Sequence, residues 1–472
     1  MITARRRAKI VATVGPASRS IEQLIELIEA GTDVVRVNTS HLTPQDAGAL
    51  YADLDVVRER TGKDFATLVD LQGPKLRLAS DFEAKDVAAG ETVTLAEIGQ
   101  GAADSFPVAV AGFAEQVQPG QRIVLGDITP QLEVNQVVEG QVRCTVIRGG
   151  QMRPRMGVTV PGGFRDLPAM TERDLAHLQV AVLYADWIAL SFVRRPDDVR
   201  LLREALRIRS CKAKVLAKIE RADAMNCLEE IVRESDGVMV ARGDLGVEIG
   251  LAAVPFAQQR IIACAMEHAK TVITATQVLE SMTSADAPTR AEAADVARAL
   301  IEGTSALMLS GETATGANPP LVVRTMSELI THAERHLVWE PRQIPDYDDR
   351  RASLVHSADR LAADQGVDVV LIPTASGRTA RLAASLARQH LIALCPDAQV
   401  RRQLALERGI TAIPWEGEHG GYLPVTVLRH AVDAGLVDGS RRVVVVWSHT
   451  YDDPANPVQL VAALQLSSES GS

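Results

Sequence analysis

Aromatic side chains make up only 3% of this 472-residue chain, too few for a stacking platform that grips single-stranded nucleic acid. Excess positive charge is also lacking: 50 Lys and Arg stand against 60 Asp and Glu, a formal charge of −10. That balance argues against a general phosphate-backbone binder, so any anion site must be local. Five cysteines (Cys144, Cys211, Cys227, Cys264 and Cys395) are scattered without a C-x-x-C pair, which indicates neither a zinc site nor a disulfide framework. No apolar run approaches the ~18 residues that cross a bilayer. Arg5-Arg6-Arg7 near the start is not part of a signal-type pattern with an apolar core and a small-residue cleavage site. The expected compartment is the cytoplasm, with no nucleic-acid or membrane partner. No in-line Ser-His-Asp set or Cys-His pair supports nucleophilic acyl chemistry.

What the chain has in quantity is short aliphatic runs that stop abruptly. Lys9–Pro16 is a strand ended by Gly-Pro, and Ser20 is a suitable N-cap for the apolar-faced helix that follows. Asp33–Asn38 and Phe65–Asp70 repeat the pattern, with a helical stretch between them. From about Lys75 to Val158 the rhythm changes to short alternating runs separated by Gly-rich or acidic turns, a small inserted β domain. The βα rhythm then resumes with strands at Trp187–Ser191, Lys214–Lys218, Gly237–Val240, Thr271–Ala275 and Ala306–Ser310. Three strands before the insertion and five after it predict a (β/α)8 TIM barrel.

Length alone allows roughly three domains. The Pro-rich, charged connector from Trp339 to Arg350 leads into strands at Val367–Ile372, Ile392–Leu394 and Val443–Val446, which predict a C-terminal open-sheet α/β domain. The expected fold class is α/β, with barrel segments at 1–74 and 159–338, a small β-barrel lid at 75–158 and the C-terminal domain at 339–472.

Active sites of (β/α)8 enzymes lie at the C-terminal ends of the strands. Those ends carry Arg36 and Asn38, Asp70, Lys218 and Glu220, Asp244, Thr276, and Ser310 with Glu312. Random surface polarity would not select the same end of each strand, so these residues are expected to converge on one mouth. Lys218 between the carboxylates of Glu220 and Asp244 suggests a hard divalent cation on oxygen ligands with a fixed ammonium beside it. With Arg36 and Arg77 in addition, the mouth suits a phosphorylated substrate chelated to Mg2+, because phosphoryl transfer needs mainly positioning and charge neutralisation. A structural cluster of ion pairs is the competing explanation for any one of these residues alone.

The chain also resembles a known family. The stretches A-K-I-V-A-T-V-G-P-A-S (Ala8 to Ser18), Arg36-Val37-Asn38-Thr39-Ser40-His41, D-L-Q-G-P-K-L-R (Asp70 to Arg77), Lys218-Ile219-Glu220, A-R-G-D-L-G (Ala241 to Gly246), Ala275-Thr276-Gln277, P-T-R-A-E (Pro288 to Glu292) and L-S-G-E-T (Leu309 to Thr313) resemble pyruvate kinase in order and spacing. The resemblance implies Mg2+-dependent (or Mn2+-dependent) phosphoryl transfer from phosphoenolpyruvate to ADP, giving pyruvate and ATP, usually in a homotetramer. Glu220 and Asp244 would hold the Mg2+, and Lys218 would neutralise the phosphoryl group in flight. Arg36 would grip the substrate phosphate, Gly243 and Asp244 would open a short helix whose N–H groups receive its carboxylate, and Thr276 would also bind substrate. Arg77, with Asn38 and His41, would face the nucleotide. Thr276 and Ser310 line the face where the enolate is protonated, and sequence does not choose between them.

The family's K+ ligands map onto Asn38, Ser40, Asp70 and the carbonyl of Leu71. Here, however, Lys75 stands where relatives often have an acid. At ~4 Å and an effective dielectric of ~20, Lys75 and K+ would repel by about 4 kcal/mol. The expectation is that the Lys75 ammonium takes the ion's place and catalysis is largely independent of K+. Leu42 replaces a Gly and Met156 a Lys of the usual patterns, and the tail from Trp447 to Pro454 lacks the Gly-rich effector loop of many relatives. The loop Thr374, Ser376, Gly377, Arg378 and Thr379 precedes a helix and could cradle a sugar-phosphate effector. Two alternatives remain: a metal-dependent phosphoenolpyruvate/pyruvate-barrel aldolase or lyase, and a catalytically degenerate metabolite-sensing paralogue.

Overall fold

The structure, a computed structural model, describes residues 6–101, 104–126, 128–164, 167–337, 350–415, 424–438, 441–449 and 458–465. Three short strands come first: β1 (Lys9–Thr13), β2 (Val34–Asn38) and β3 (Ala66–Asp70). The inserted segment contributes β4 (Lys85–Val87), β5 (Thr92–Glu97), β6 (Phe106–Val108), β7 (Arg122–Leu125), β8 (Gln131–Val138), β9 (Gln141–Arg148), β10 (Gly150–Met152) and β11 (Val158–Thr159). Five more follow in the next unit: β12 (Trp187–Leu190), β13 (Lys214–Ile219), β14 (Gly237–Ala241), β15 (Thr271–Ala275) and β16 (Ala306–Leu309). The last sheet uses β17 (Val369–Pro373), β18 (His390–Leu394), β19 (Ile410–Ile413), β20 (Val443–His449) and β21 (Val458–Leu464).

β1, β2, β3 and β12 to β16 close into one parallel barrel in the order β1-β16-β15-β14-β13-β12-β3-β2. Its strands are buried on both faces, which is why they read as unbroken aliphatic runs. The interior is packed by Leu68, Trp187, Leu216, Met239, Ile273 and Met308 among others, so the barrel is a filled core and not a pore. Local sequence sets the helix starts. Ser20 and Gln23 form a capping box, and so do Thr289 and Glu292, so part of the P-T-R-A-E motif is helix-start chemistry.

The insertion folds as a curled six-stranded sheet, order β11-β7-β8-β9-β5-β6, with a two-stranded ribbon of β10 and β4. Arg77 bridges Gly157 and Leu78 bridges Val108. The segment entering the insertion thereby links the two sheet edges and rounds the sheet into a small barrel. The C-terminal sheet runs β19-β18-β17-β20-β21, parallel except for β21 against β20. Strands β19 and β21 are additions to the three strands read from sequence.

The C-terminal domain closes the N-terminal end of the barrel. Leu406 is fully buried in the barrel's interior cluster, and Trp187 Nε1 donates to the Gln403 carbonyl at 3.1 Å.

Candidate active site

At the opposite end, the strand termini bring together Arg36, Asp70, Lys218 and Glu220. Arg36 is buried in the middle of β2, with Nε and Nη2 on Asp70 Oδ2 at 2.8 and 2.7 Å and Nη1 on Thr13 Oγ1 at 3.0 Å. Lys218 Nζ lies 3.2 Å from Asp70 Oδ1 and 3.0 Å from Glu220 Oε1, and donates to Ser191 Oγ at 2.8 Å. Burial would strip the proton from Lys218, but Asp70 and Glu220 overcome it and push its pKa upward. It is a permanent cation and cannot serve as a base near neutrality. Burial would likewise raise Asp70, yet Lys218 and Arg36 hold its carboxyl below the usual value.

Glu220 is displaced the other way. Burial raises its pKa, Lys218 opposes that, and the charge of Asp244 adds to the rise. Its second oxygen accepts the Phe192 N–H at 2.7 Å. Glu220 and Asp244 line one cleft of about 540 Å3, together with Lys75, Phe192, Arg194 and Arg221. Two mutually repelling carboxylates on one cleft are the donor set Mg2+ accepts when substrate and water supply the remaining oxygens.

Lys75 corrects one expectation. Its Nζ is 2.9 Å from Asp244 Oδ1, not among Asn38, Ser40, Asp70 and Leu71. Asp70 already carries two cations, so it has little pull on a third. Gly73, at φ +67, turns the chain so that Lys75 faces the end of β14. Two of the other proposed K+ oxygens take part in internal hydrogen bonds. Asn38 Oδ1 accepts Ser40 N at 3.1 Å, and the Leu71 carbonyl accepts Ser191 Oγ at 2.7 Å. Asp70, the one carboxylate of the set, is already paired with Arg36 and Lys218.

Gly243 opens the helix Arg242–Ile249 as expected. Its N–H donates to Thr276 Oγ1 at 3.1 Å, so two groups assigned to the substrate already touch each other. Thr276 and Gln277 both sit at positive φ (+65 and +53), a strained conformation for side-chain-bearing residues. Arg242 holds that strain in place. Its guanidinium donates to the carbonyls of Ala275, Thr276 and Gln277 and pairs with Asp295 at 2.5 Å. Ser310 Oγ is buried and finds no hydrogen-bond partner among the described residues, while Ser310 N donates to Glu312 Oε2 at 2.7 Å.

Arg77 is half-buried beside the inserted sheet and donates to the Arg155 carbonyl at 3.0 Å. His41 is exposed in the turn after β2, away from the buried cluster. Arg173 clamps that turn through the carbonyls of Thr39, Ser40 and Leu42. Leu42 packs on the outer barrel core, and Met156 packs into the core of the inserted sheet.

In the C-terminal domain, Gly377 caps the helix Arg378–Leu386 at φ +72 and its N–H is held by Thr374 Oγ1 at 3.0 Å. Ser376 and Arg378 are exposed, and Thr379 is buried. The tail residues 450–457, which include Tyr451 to Pro454, lie outside the described residues, as does the connector at 338–349.

Ser191, Arg173 and Arg242 were missed by reading the sequence. Ser191 could have been found, because it ends the Trp187–Ser191 run just as the other site residues end theirs. Arg242 sits inside the A-R-G-D-L-G motif, yet nothing local reveals that it holds the next strand's end.

Comparison with known proteins agrees with this geometry. The family described as "Pyruvate kinase, barrel domain" matches residues 5–323, and "Pyruvate kinase, alpha/beta domain" matches residues 352–455. A pyruvate kinase of Corynebacterium efficiens is 40% identical over 416 residues, 86% of each chain. One from Agrobacterium vitis is 38% identical over 452 residues, 93% of each. The crystal structure of a pyruvate kinase from Cryptosporidium parvum superposes with a TM-score of 0.90 at 28% identity, covering 98% of this chain and 96% of that one.

Proposed function

The chain belongs to the pyruvate kinase family, and from that premise we propose how its own residues move phosphoryl from phosphoenolpyruvate to ADP, giving pyruvate and ATP. The observation that carries the reading is the pairing of Glu220 and Asp244 on one cleft, with Lys218 held beside Glu220 as a permanent cation. Glu220 and Asp244 would hold Mg2+ or Mn2+, which supplies Lewis-acid neutralisation of the developing enolate and phosphoryl charge.

Lys218 stabilises the transferring phosphoryl group electrostatically, and its three partners hold it rigid before substrate arrives. Arg36 grips the substrate phosphate from a guanidinium already oriented by Asp70 and Thr13. Gly243 N–H and Thr276 Oγ1 exchange their mutual bond for the substrate carboxylate. Ser310, whose hydroxyl finds no partner among the described residues, joins Thr276 on the face where the enolate gains its proton. Arg77 receives the nucleotide phosphates from the inserted sheet, and Asn38 and His41 border the nucleotide. No feature of the site favours an aldolase, a lyase or a non-catalytic sensor.

The balanced charge at Asp70 supports turnover without K+, even though the family generally uses it. A coupled assay of pyruvate release in Na+, K+ and tetramethylammonium salts should give rates within about twofold of one another. A large specific K+ stimulation would reject that part of the reading, and absence of any pyruvate would reject the activity.

We assign the sugar-phosphate effector implied by the family to the loop Thr374–Thr379, where exposed Ser376 and Arg378 lie at a helix N-terminus. Fructose 1,6-bisphosphate or ribose 5-phosphate should shift activity or melting temperature, and a flat response to both would remove the assignment. The working form is taken as a cytoplasmic homotetramer. Among the described residues no single helix is long and apolar enough to cross a membrane.

A further inference from the structure

The carboxylate pair of the cleft is not symmetric. Glu220 shares an ammonium buried with it, whereas Asp244 holds Lys75 at 2.9 Å in a half-exposed pair, 29% and 35% accessible. We infer that Lys75 is a tethered rival of the divalent cation at Asp244, which makes cation binding depend on the anionic substrate. This rests on reading Glu220 and Asp244 as the metal ligands.

Counting charge shows why. Asp70, Glu220 and Asp244 supply three negative charges, and Arg36, Lys218 and Lys75 supply three positive ones, so the cluster is neutral as it stands. A divalent cation arriving alone takes it to +2 and must also displace an ammonium. When an anionic substrate arrives with the cation, its negative charge offsets the added +2 and the displaced ammonium has a counter-charge nearby. Cation and substrate therefore bind cooperatively, and the coupling is reciprocal. The other two cations of the cleft do not compete for Asp244: Arg194 is held by Asp198, and Arg221 by Asp223 and Glu248.

The tether ties this exchange to the connection between barrel and inserted sheet. Lys75 directly follows Pro74 on the outgoing passage. A Cβ on Gly157, on the returning passage, would lie only 3.3 Å from Lys75 Cε, so the stem runs between the two passages. The ammonium is 5.8 Å from the Phe192 ring, whose face offers it a second resting place in the same cleft. Releasing Asp244 thus moves a side chain pinched between the two chain passages that carry the inserted sheet.

The test measures Mn2+ binding directly, by the loss of the free-ion paramagnetic resonance signal, with Mn2+ alone and with Mn2+ plus phosphoenolpyruvate but no ADP. Lys75→Met should bind Mn2+ alone about fivefold more tightly than the parent, with the coupling to phosphoenolpyruvate weakened by the same factor. Lys75→Gln should behave like Lys75→Met, and Lys75→Arg like the parent. Equal or weaker Mn2+ affinity in folded Lys75→Met and Lys75→Gln overturns the inference. Asp244→Asn and Glu220→Gln report separately on the ligand reading. If they leave Mn2+ affinity unchanged, that reading falls whatever Lys75 does; if they weaken it while the Lys75 variants change nothing, only the rivalry is wrong.

Discussion

Charged side chains cap both ends of the barrel, and the two ends use them differently. At the N-terminal end, Asp186 is fully buried, paired with Arg402 at 2.9 Å and Arg58 at 3.6 Å, and it accepts the Thr67 N–H. Glu407 is bonded to Thr271 at the start of β15, Lys9 donates to the Ile410 carbonyl, and Leu406 plugs the interior. These groups are covered by the C-terminal domain. At the C-terminal end the ion pairs border a cleft, and Glu220 and Asp244 face it. Polarity at strand ends is therefore not diagnostic by itself, since both ends have it. What marks the functional end is Asp244, a partly exposed carboxylate on a cleft whose ammonium partner, Lys75, is partly exposed as well.

Breaking the open end should have the largest effect. Lys218→Met should lower kcat by at least ~1,000-fold while the chain still folds, because Arg36 continues to balance Asp70. Steady-state kinetics beside a thermal melt checks this, and retained turnover would make the mouth a second structural cluster like the floor. Breaking the closed end should do the reverse. Leu406→Ala should cost about 2–5 kcal/mol in urea unfolding and leave kcat per folded molecule nearly unchanged.

The smallest effect sharpens the comparison through pH. Burial pushes the Asp186 carboxyl up to about 6 from its usual 3.8, against the pull of Arg402 and Arg58. The folded chain thus binds this proton more tightly than the unfolded one. Its contribution is complete below pH ~3.8 and is lost as pH rises through about 6, a change on the order of 3 kcal/mol. Unfolding free energy measured from pH 4 to 7 should carry this downward slope in the parent, and a shallower one in Asp186→Asn.

Much of the site was legible because strand ends are legible. Aliphatic runs that stop in charge located Arg36, Asp70, Lys218, Glu220, Asp244 and Thr276 without coordinates. Lys75 was misplaced for a physical reason. A four-carbon ammonium can reach several carboxylates, and its choice depends on how strongly each is already neutralised. Asp70 looked vacant in sequence only because its pairing with both Arg36 and Lys218 crosses three strands. The Arg242 clamp was hidden similarly, since its acceptors are backbone carbonyls of the neighbouring strand's end.

The sequence alone determined the eight-strand rhythm, the inserted sheet, the third domain and the identity of the acids and ammoniums at the mouth. Those follow from periodicity and composition, which are local properties of the chain. Tertiary structure alone decided which charge meets which, that Leu406 seals one end, and that Asp244 holds Lys75. Such pairings depend on distances between strands far apart in sequence and on how much water each group has lost, neither of which is written in any one segment.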